Sequence, residues 1–86
     1  MVKKRGVIRR RNDLLSRFGA VVRGHRLGLG ISQQELGKRA GLHRTYITDI
    51  ERGVRNISIK SVASLSKALG VPISSLFPSA ADRSAP

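Results

Sequence analysis

The chain has 86 residues, of which 17 are Lys or Arg and 5 are Asp or Glu, for a formal net charge of +12 at pH 7. This length suits one small domain with a modest core, and the charge favours a polyanionic partner, either nucleic acid or an anionic membrane surface. Because cysteine is absent and no apolar run is long enough to cross a bilayer, disulfides, cysteine-ligated zinc and a transmembrane helix are excluded. The basic N-terminus lacks the apolar segment of a secretory signal, so we expect a cytoplasmic protein.

Residues 1–12 form a basic block without an acidic residue. Six of the 17 basic residues lie in it: Lys3, Lys4, Arg5, Arg9, Arg10 and Arg11. Such a block repels itself, so we predict a disordered arm that either contacts DNA phosphates or a minor groove, or only solubilises the protein. The folded domain is then expected over residues 13–77, and the small polar residues 78–86 are expected to form a disordered tail.

The first helix is predicted at about Asp13–Leu27, and Gly28 and Gly30 end it. Apolar residues recur at helical spacing along one side. They are Leu14, Leu15, Phe18, Val21 and Val22, with His25 one turn further on. Arg26 lies one turn beyond Val22 on the same side, which is an unusual position for a charge.

Two short helices joined by a tight turn are predicted between Ser32 and Gly53, in the segment SQQELGKRAGLHRTYITDIERG. The first would span about Gln33–Ala40 and the second about His43–Arg52. Gly41 supplies the turn, where a positive φ is needed. This is the helix-turn-helix pattern, in which the second helix enters the DNA major groove.

Local signals support these two helices. Ser32 is a suitable N-cap, and Glu35 follows at the spacing of a capping box. Gly37 costs helix stability, so we expect it to serve close packing between helices. In the second helix Ile47 and Ile50 point inward, and the opposite face carries Arg44, Thr45, Thr48, Asp49 and Arg52. This polar face is suited to hydrogen-bonding base edges; the alternative is an ordinary solvated face.

A fourth helix is predicted at Ile59–Leu69, capped by Ser58 and ended by Gly70. Pro72 opens a short fifth helix whose apolar residues exceed its own packing needs. They are Ile73, Leu76 and Phe77, which we predict to form a dimer interface with part of the fourth helix; the alternative is that they close the monomer core. The chain has no alternating strand pattern, so its predicted fold class is all-α with five helices.

The three aromatic residues of the chain are Phe18, Tyr46 and Phe77. Proteins that bind single strands by stacking need exposed aromatic platforms. Two of these three are expected in the core, which argues against an RRM, a cold-shock fold or an OB-fold.

The motifs SQQELGKRAG and YITDIERG resemble the Cro/cI-type (XRE) helix-turn-helix family, and the resemblance covers about Phe18–Phe77. The segment HRTYITDIERGVRNISIKSVASLSKALGV is most similar to controller proteins of restriction-modification systems. The resemblance implies a compact five-helix domain of the phage repressor type. It also implies a homodimer on a pseudo-palindromic DNA operator, acting near its own promoter.

The resemblance further implies roles for individual residues. Bases would be read by His43, Arg44, Thr45, Thr48 and Asp49. Arg44 suits guanine O6 and N7 and Asp49 suits cytosine N4, while His43 has the alternative role of a helix cap. Phosphate contacts are implied for Gln33, Tyr46, Arg55 and Asn56, and charge alone suggests Lys38, Arg39 and Arg52. Arg26 and Glu51 match a buried structural ion pair, which would account for the charge on the first helix.

Two other functions remain open: a DNA-binding antitoxin whose partner is a toxin protein, and a non-specific nucleic-acid-binding structural protein that uses charge alone. An enzyme is not expected, since the sequence shows no metal-ligand cluster and no phosphate-cradling glycine loop. We therefore expect no catalytic residue, cofactor, metal, membrane partner or small-molecule ligand.

Overall fold

The structure is a computed structural model that describes the backbone of residues 2–78 and the side chains of residues 14–78. This part of the chain contains no strand. It forms helices α1 (Val2–Gly28), α2 (Gln33–Ala40), α3 (Arg44–Arg52) and α4 (Ile59–Leu69), followed by a 3₁₀ turn at Ile73–Leu76. The all-α fold class is thus confirmed, with four α-helices and a 3₁₀ turn in place of five helices.

The predicted fifth helix is only a 3₁₀ turn because its sequence cannot extend. Pro72 precedes it, and Pro78 restricts Phe77 to an extended conformation. Phe77 accordingly has φ −103° and ψ 147°. Four residues remain between these limits, which is the usual length of a 3₁₀ segment.

Helix α1 begins at Val2, whereas the sequence predicts a disordered arm before Asp13. Lys and Arg are good helix formers, so nothing in their backbone preferences ends the helix at Asp13. The side chains of residues 1–13 and the predicted tail after Pro78 lie outside the described residues. The contact of the basic block with DNA therefore stays a prediction.

The boundaries of α2 and α4 follow from the local signals in the sequence. The Ser32 hydroxyl accepts a hydrogen bond from the backbone N–H of Glu35 at 3.0 Å. Gly41 ends α2 at φ 71°, in the left-handed region that glycine adopts without strain. Ser58 and Gly70 act in the same way at the two ends of α4.

The core lies where α1 and α2 pack against α3, with α4 behind α2 and the 3₁₀ turn against α4 and α1. Ten buried apolar residues form it: Phe18, Val22, Leu36, Ala40, Ile47, Ile50, Val62, Leu65, Leu69 and Leu76. Leu76 is fully buried in this monomer core. The predicted dimer-interface role of Leu76 is corrected accordingly, because a buried side chain offers no surface to a partner.

Two glycines lie where a side chain would collide with neighbouring backbone. A Cβ at Gly19 would overlap the Ile50 carbonyl oxygen and lie 2.8 Å from that of Glu51. A Cβ at Gly37 would lie 2.5 Å from the Leu42 carbonyl oxygen. Gly37 thus has the predicted packing role, although its close contact is with the turn between α2 and α3 and not with a second helix. The α1–α3 contact at Gly19 was not predicted.

Candidate nucleic-acid interface

The buried side chains of α3 determine which of its faces is presented outward. Ile47 and Ile50 are buried in the core, so the opposite side of the helix faces solvent. Arg44 and Thr45 are exposed there and Thr48 is half-buried. We call these three residues the reading face.

His43 is the N-cap of α3 and lies just outside the helix. Its Nδ1 accepts a hydrogen bond from the backbone N–H of Thr45 at 3.0 Å. The capping role left open by the sequence is therefore the one that the structure shows.

Gln33 fixes the start of α2 to α3. Its Oε1 accepts a hydrogen bond from the Thr48 hydroxyl at 2.8 Å, and its Nε2 donates to Glu51 Oε1 at 3.1 Å. The sequence placed Gln33 only against phosphate. Its link to α3 was missed because contacts between side chains 15 and 18 positions apart leave no local signal in the sequence.

Arg26 and Glu51 form a bidentate ion pair between α1 and α3. Arg26 Nε donates to Glu51 Oε2 at 2.7 Å and Nη2 donates to Oε1 at 3.1 Å. The side chains are only 9% and 3% exposed. A third bond runs from Arg26 Nη1 to the Ile31 carbonyl oxygen at 2.8 Å. The hydrogen bond to Glu51 raises the pKa of Arg26 above its usual value. The charge on the apolar side of α1 is thus structural.

Asp49, Arg55 and Tyr46 form a second cluster, which we call the Arg55 clamp. Arg55 donates from Nε and Nη2 to a single oxygen, Asp49 Oδ2, at 3.3 and 3.1 Å. The Arg55 guanidinium carbon lies 4.8 Å from the centre of the Tyr46 ring. The Tyr46 hydroxyl in turn donates to Ser61 Oγ of α4 at 3.4 Å. The sequence placed these residues at the interface but did not indicate that they touch one another.

The remaining basic candidates lie at the helix ends. Lys38 and Arg39 occupy the last turn of α2 and Arg52 the last turn of α3, and all three are exposed. Arg39 donates to Glu35 Oε2 at 2.9 Å and lowers the pKa of that carboxyl group below its usual value. Asn56 is exposed in the loop after α3.

The residues predicted to form the dimer interface lie on a different element from the residues predicted to contact DNA. Ile73 and Phe77 are 44% and 47% exposed, at the 3₁₀ turn that packs on α4 and α1. The Phe77 ring also contacts Phe18, with 5.2 Å between ring centres. Ile59, at the start of α4, is 85% exposed and was not singled out by the sequence.

Within the described residues, no group of three or more His, Asp or Glu side chains is arranged to hold a metal ion. None of the helices described is both long enough and apolar enough to cross a membrane.

Comparison with known proteins gives consistent similarities. A family model described as "Helix-turn-helix" matches residues 22–76. Control protein C.BamHI of Bacillus amyloliquefaciens is 49% identical over 61 residues, which cover 70% of this chain and 75% of that protein. Control protein C.SmaI of Serratia marcescens is 40% identical over 56 residues, which cover 65% of this chain and 67% of that protein. The crystal structure of the restriction-modification controller protein C.AhdI from Aeromonas hydrophila matches with a TM-score of 0.75 at 36% identity, over 77% of this chain and 96% of that one.

Proposed function

Because the chain belongs to the Cro/cI-type (XRE) helix-turn-helix family of DNA-binding transcription regulators, of the restriction-modification controller type, we propose that it binds a pseudo-palindromic operator as a homodimer. Members of this family are regulators and not enzymes. The operator would lie upstream of the protein's own gene, so that the protein regulates its own synthesis.

The observation that carries the proposal is the reading face of α3. Arg44 and Thr45 are exposed at the first turn of a helix whose other side is buried. Arg44 would read guanine, since a guanidinium donates bidentately to O6 and N7 in the major groove. Thr45 and Thr48 would contact neighbouring base edges.

Phosphate contacts would orient α3 in the groove without reading sequence. Lys38 and Arg52 are exposed cations that suit this role, and Asn56 would donate an amide N–H from the following loop. The N-terminus of α2 at Gln33 would direct the first backbone N–H groups of the helix at a phosphate. Arg39 and Tyr46 would contribute at the edge of the interface.

A homodimer is proposed because one domain of this kind presents only about 600–1,000 Å² to DNA. A two-fold dimer doubles this area and reads two half-sites about 34 Å apart. Ile73 and Phe77 support this arrangement, because they are exposed apolar side chains on the side of the molecule formed by α4 and the 3₁₀ turn.

The test begins with selection of bound duplexes from a random pool, followed by fluorescence anisotropy across a range of salt concentrations. We expect one palindromic sequence to be enriched and bound on the order of 10³-fold more tightly than a scrambled duplex. The same sequence should occur upstream of the protein's gene. A pool that yields no enriched sequence, with equal affinity for all duplexes and a steep salt dependence, would instead identify a charge-driven binder.

A further inference from the structure

We propose that Asp49 does not read a base but is a positioning residue, whose carboxylate holds Arg55 so that Arg55 contacts a base edge beside the reading face and not only phosphate. This inference rests on the proposed function, since it concerns the same DNA interface. It also replaces the contact between Asp49 and cytosine that the sequence suggested.

The geometry of the Arg55 clamp supports this role. Both hydrogen bonds from Arg55 converge on Asp49 Oδ2, and its guanidinium carbon lies over the Tyr46 ring. A guanidinium carries five N–H donors. Two are used by Asp49, so three remain for an acceptor on DNA.

The surroundings of Arg55 explain why it needs to be held. Val54, Arg55 and Asn56 are exposed and lie in the loop between α3 and α4. A long side chain on such a loop loses rotamer freedom when it binds, and prior ordering reduces that loss. Asp49 stands on α3 and Tyr46 bonds to Ser61 on α4, so the clamp fixes Arg55 relative to two helices.

The position of Asp49 is otherwise difficult to explain. It stands on the helix that faces DNA, where an unpaired carboxylate would repel phosphates. Glu51, the other acidic residue of α3, is 3% exposed and paired with Arg26, whereas the Asp49 side chain is 23% exposed. An ion pair at a surface contributes little to folding, so fold stability alone gives little reason for an acid here.

Removal of the Asp49 carboxylate changes the affinity for DNA in opposite directions depending on whether Asp49 positions Arg55 or only contributes negative charge. Asp49→Ala increases the net charge of +12 by one, and if charge alone mattered, the variant would bind every duplex more tightly. If Asp49 positions Arg55, the variant binds the operator about tenfold more weakly, while its affinity for scrambled DNA is unchanged or higher.

The experiment is a double-mutant cycle measured by anisotropy on the selected operator and on a scrambled duplex. The proteins are wild type, Asp49→Ala, Arg55→Ala and the double variant, with Asp49→Asn as the variant that keeps the shape and removes the charge. We expect Asp49→Ala and Arg55→Ala each to bind the operator about tenfold more weakly than wild type. The double variant should bind no more weakly than Arg55→Ala alone. Thermal unfolding of each variant should stay close to wild type.

Each contrary outcome has a distinct meaning. Asp49→Ala binding the operator as tightly as wild type, or more tightly, overturns the inference. Additive losses in the double variant also overturn it, because they make Asp49 an independent reader of a base. A wild-type protein that does not distinguish the operator from scrambled DNA overturns the proposed function, and the inference with it. If wild type prefers the operator and Asp49→Ala shows the same ratio of operator to scrambled-duplex affinity, the inference is overturned and the proposed function stands.

Discussion

Glu51 shows how a single carboxylate can organise three parts of this small domain. It lies on α3, where its carboxylate accepts two hydrogen bonds from Arg26 of α1 and one from Gln33 of α2. Arg26 also holds the Ile31 carbonyl oxygen in the segment between α1 and α2. The charges are buried, but no buried side-chain nitrogen or oxygen among the described residues lacks a hydrogen-bond partner, which is the condition under which a buried pair is tolerated.

Glu51→Ala should therefore be strongly destabilising. The substitution leaves the Arg26 cation buried without its counter-charge, and we expect a loss of about 3–5 kcal/mol in the free energy of unfolding. Urea denaturation followed by circular dichroism measures it.

Arg39→Ala is the matched control, because it breaks an ion pair whose side chains are 45% and 39% exposed. That loss should be at most about 1 kcal/mol. Equal effects of the two substitutions would show that burial of the Arg26–Glu51 pair does not matter to stability.

Arg44 provides the corresponding prediction for binding. Arg44→Ala should lose about 1–3 kcal/mol of affinity for the operator and little for scrambled DNA, because it would remove the proposed base contact. Arg44→Lys keeps the charge but loses the planar bidentate donor, so it should lose most of the same discrimination. Both variants are compared with wild type by anisotropy at one salt concentration.

Lys67→Ala is the control for Arg44, since Lys67 is exposed in the last turn of α4 and is not part of the reading face. It removes one positive charge without removing a proposed base contact. If Arg44→Ala and Lys67→Ala weaken binding to every duplex alike, Arg44 does not read a base.

The contact between α1 and α3 depends on the absence of one side chain. Gly19 lies where α1 meets the Ile50 and Glu51 carbonyl oxygens, so the backbones of the two helices touch almost directly. Gly24, further along the same helix, has no atom within 4 Å of the place a Cβ would occupy.

Alanine at these two positions of α1 should therefore have opposite effects. Gly19→Ala is expected to destabilise the protein by about 1–3 kcal/mol through overpacking. Gly24→Ala should stabilise it by about 0.5–1 kcal/mol, because alanine favours the helix and meets no neighbour. Thermal unfolding by calorimetry compares the two, and a stabilised Gly19→Ala protein would contradict the close α1–α3 contact.

Helix boundaries set by capping residues and terminal glycines could be predicted from the sequence. Contacts between side chains far apart in the sequence could not. The caps at Ser32 and Ser58 and the glycines after α2 and α4 act within a few residues, so these two helices appear at their predicted boundaries. The residues of the Arg55 clamp were placed at the interface, but their mutual contacts depend on how α3, its following loop and α4 meet. The predicted fifth helix is a 3₁₀ turn, because Pro78 restricts the preceding Phe77 to an extended conformation and so stops the segment after four residues.

At the scale of the whole molecule, a charge placed in the proposed dimer interface should reduce the mass of the protein in solution from that of a dimer to that of a monomer. Ile73→Glu places a charge on a 44% exposed apolar side chain at the 3₁₀ turn, which should disfavour burial against a second copy. We expect the variant to sediment as a monomer at concentrations where wild type is a dimer, and to bind operator DNA more weakly.

Leu27→Glu makes the same change at a 52% exposed leucine near the end of α1 and should leave the dimer intact. Equilibrium ultracentrifugation of the three proteins, with circular dichroism to verify folding, decides the matter. An Ile73→Glu protein that remains a dimer would place the interface on another surface.

The way α3 is held also bears on how such regulators diverge. Ile47, Ile50 and Glu51 anchor the helix from its buried side, whereas Arg44 and Thr45 take no part in that anchoring. If Arg44 and Thr45 read bases as proposed, substitutions at these two outward positions change the preferred operator without loss of the fold. Two paralogous copies within one cell could acquire separate targets in a few mutational steps and avoid cross-regulation, while retaining a common scaffold.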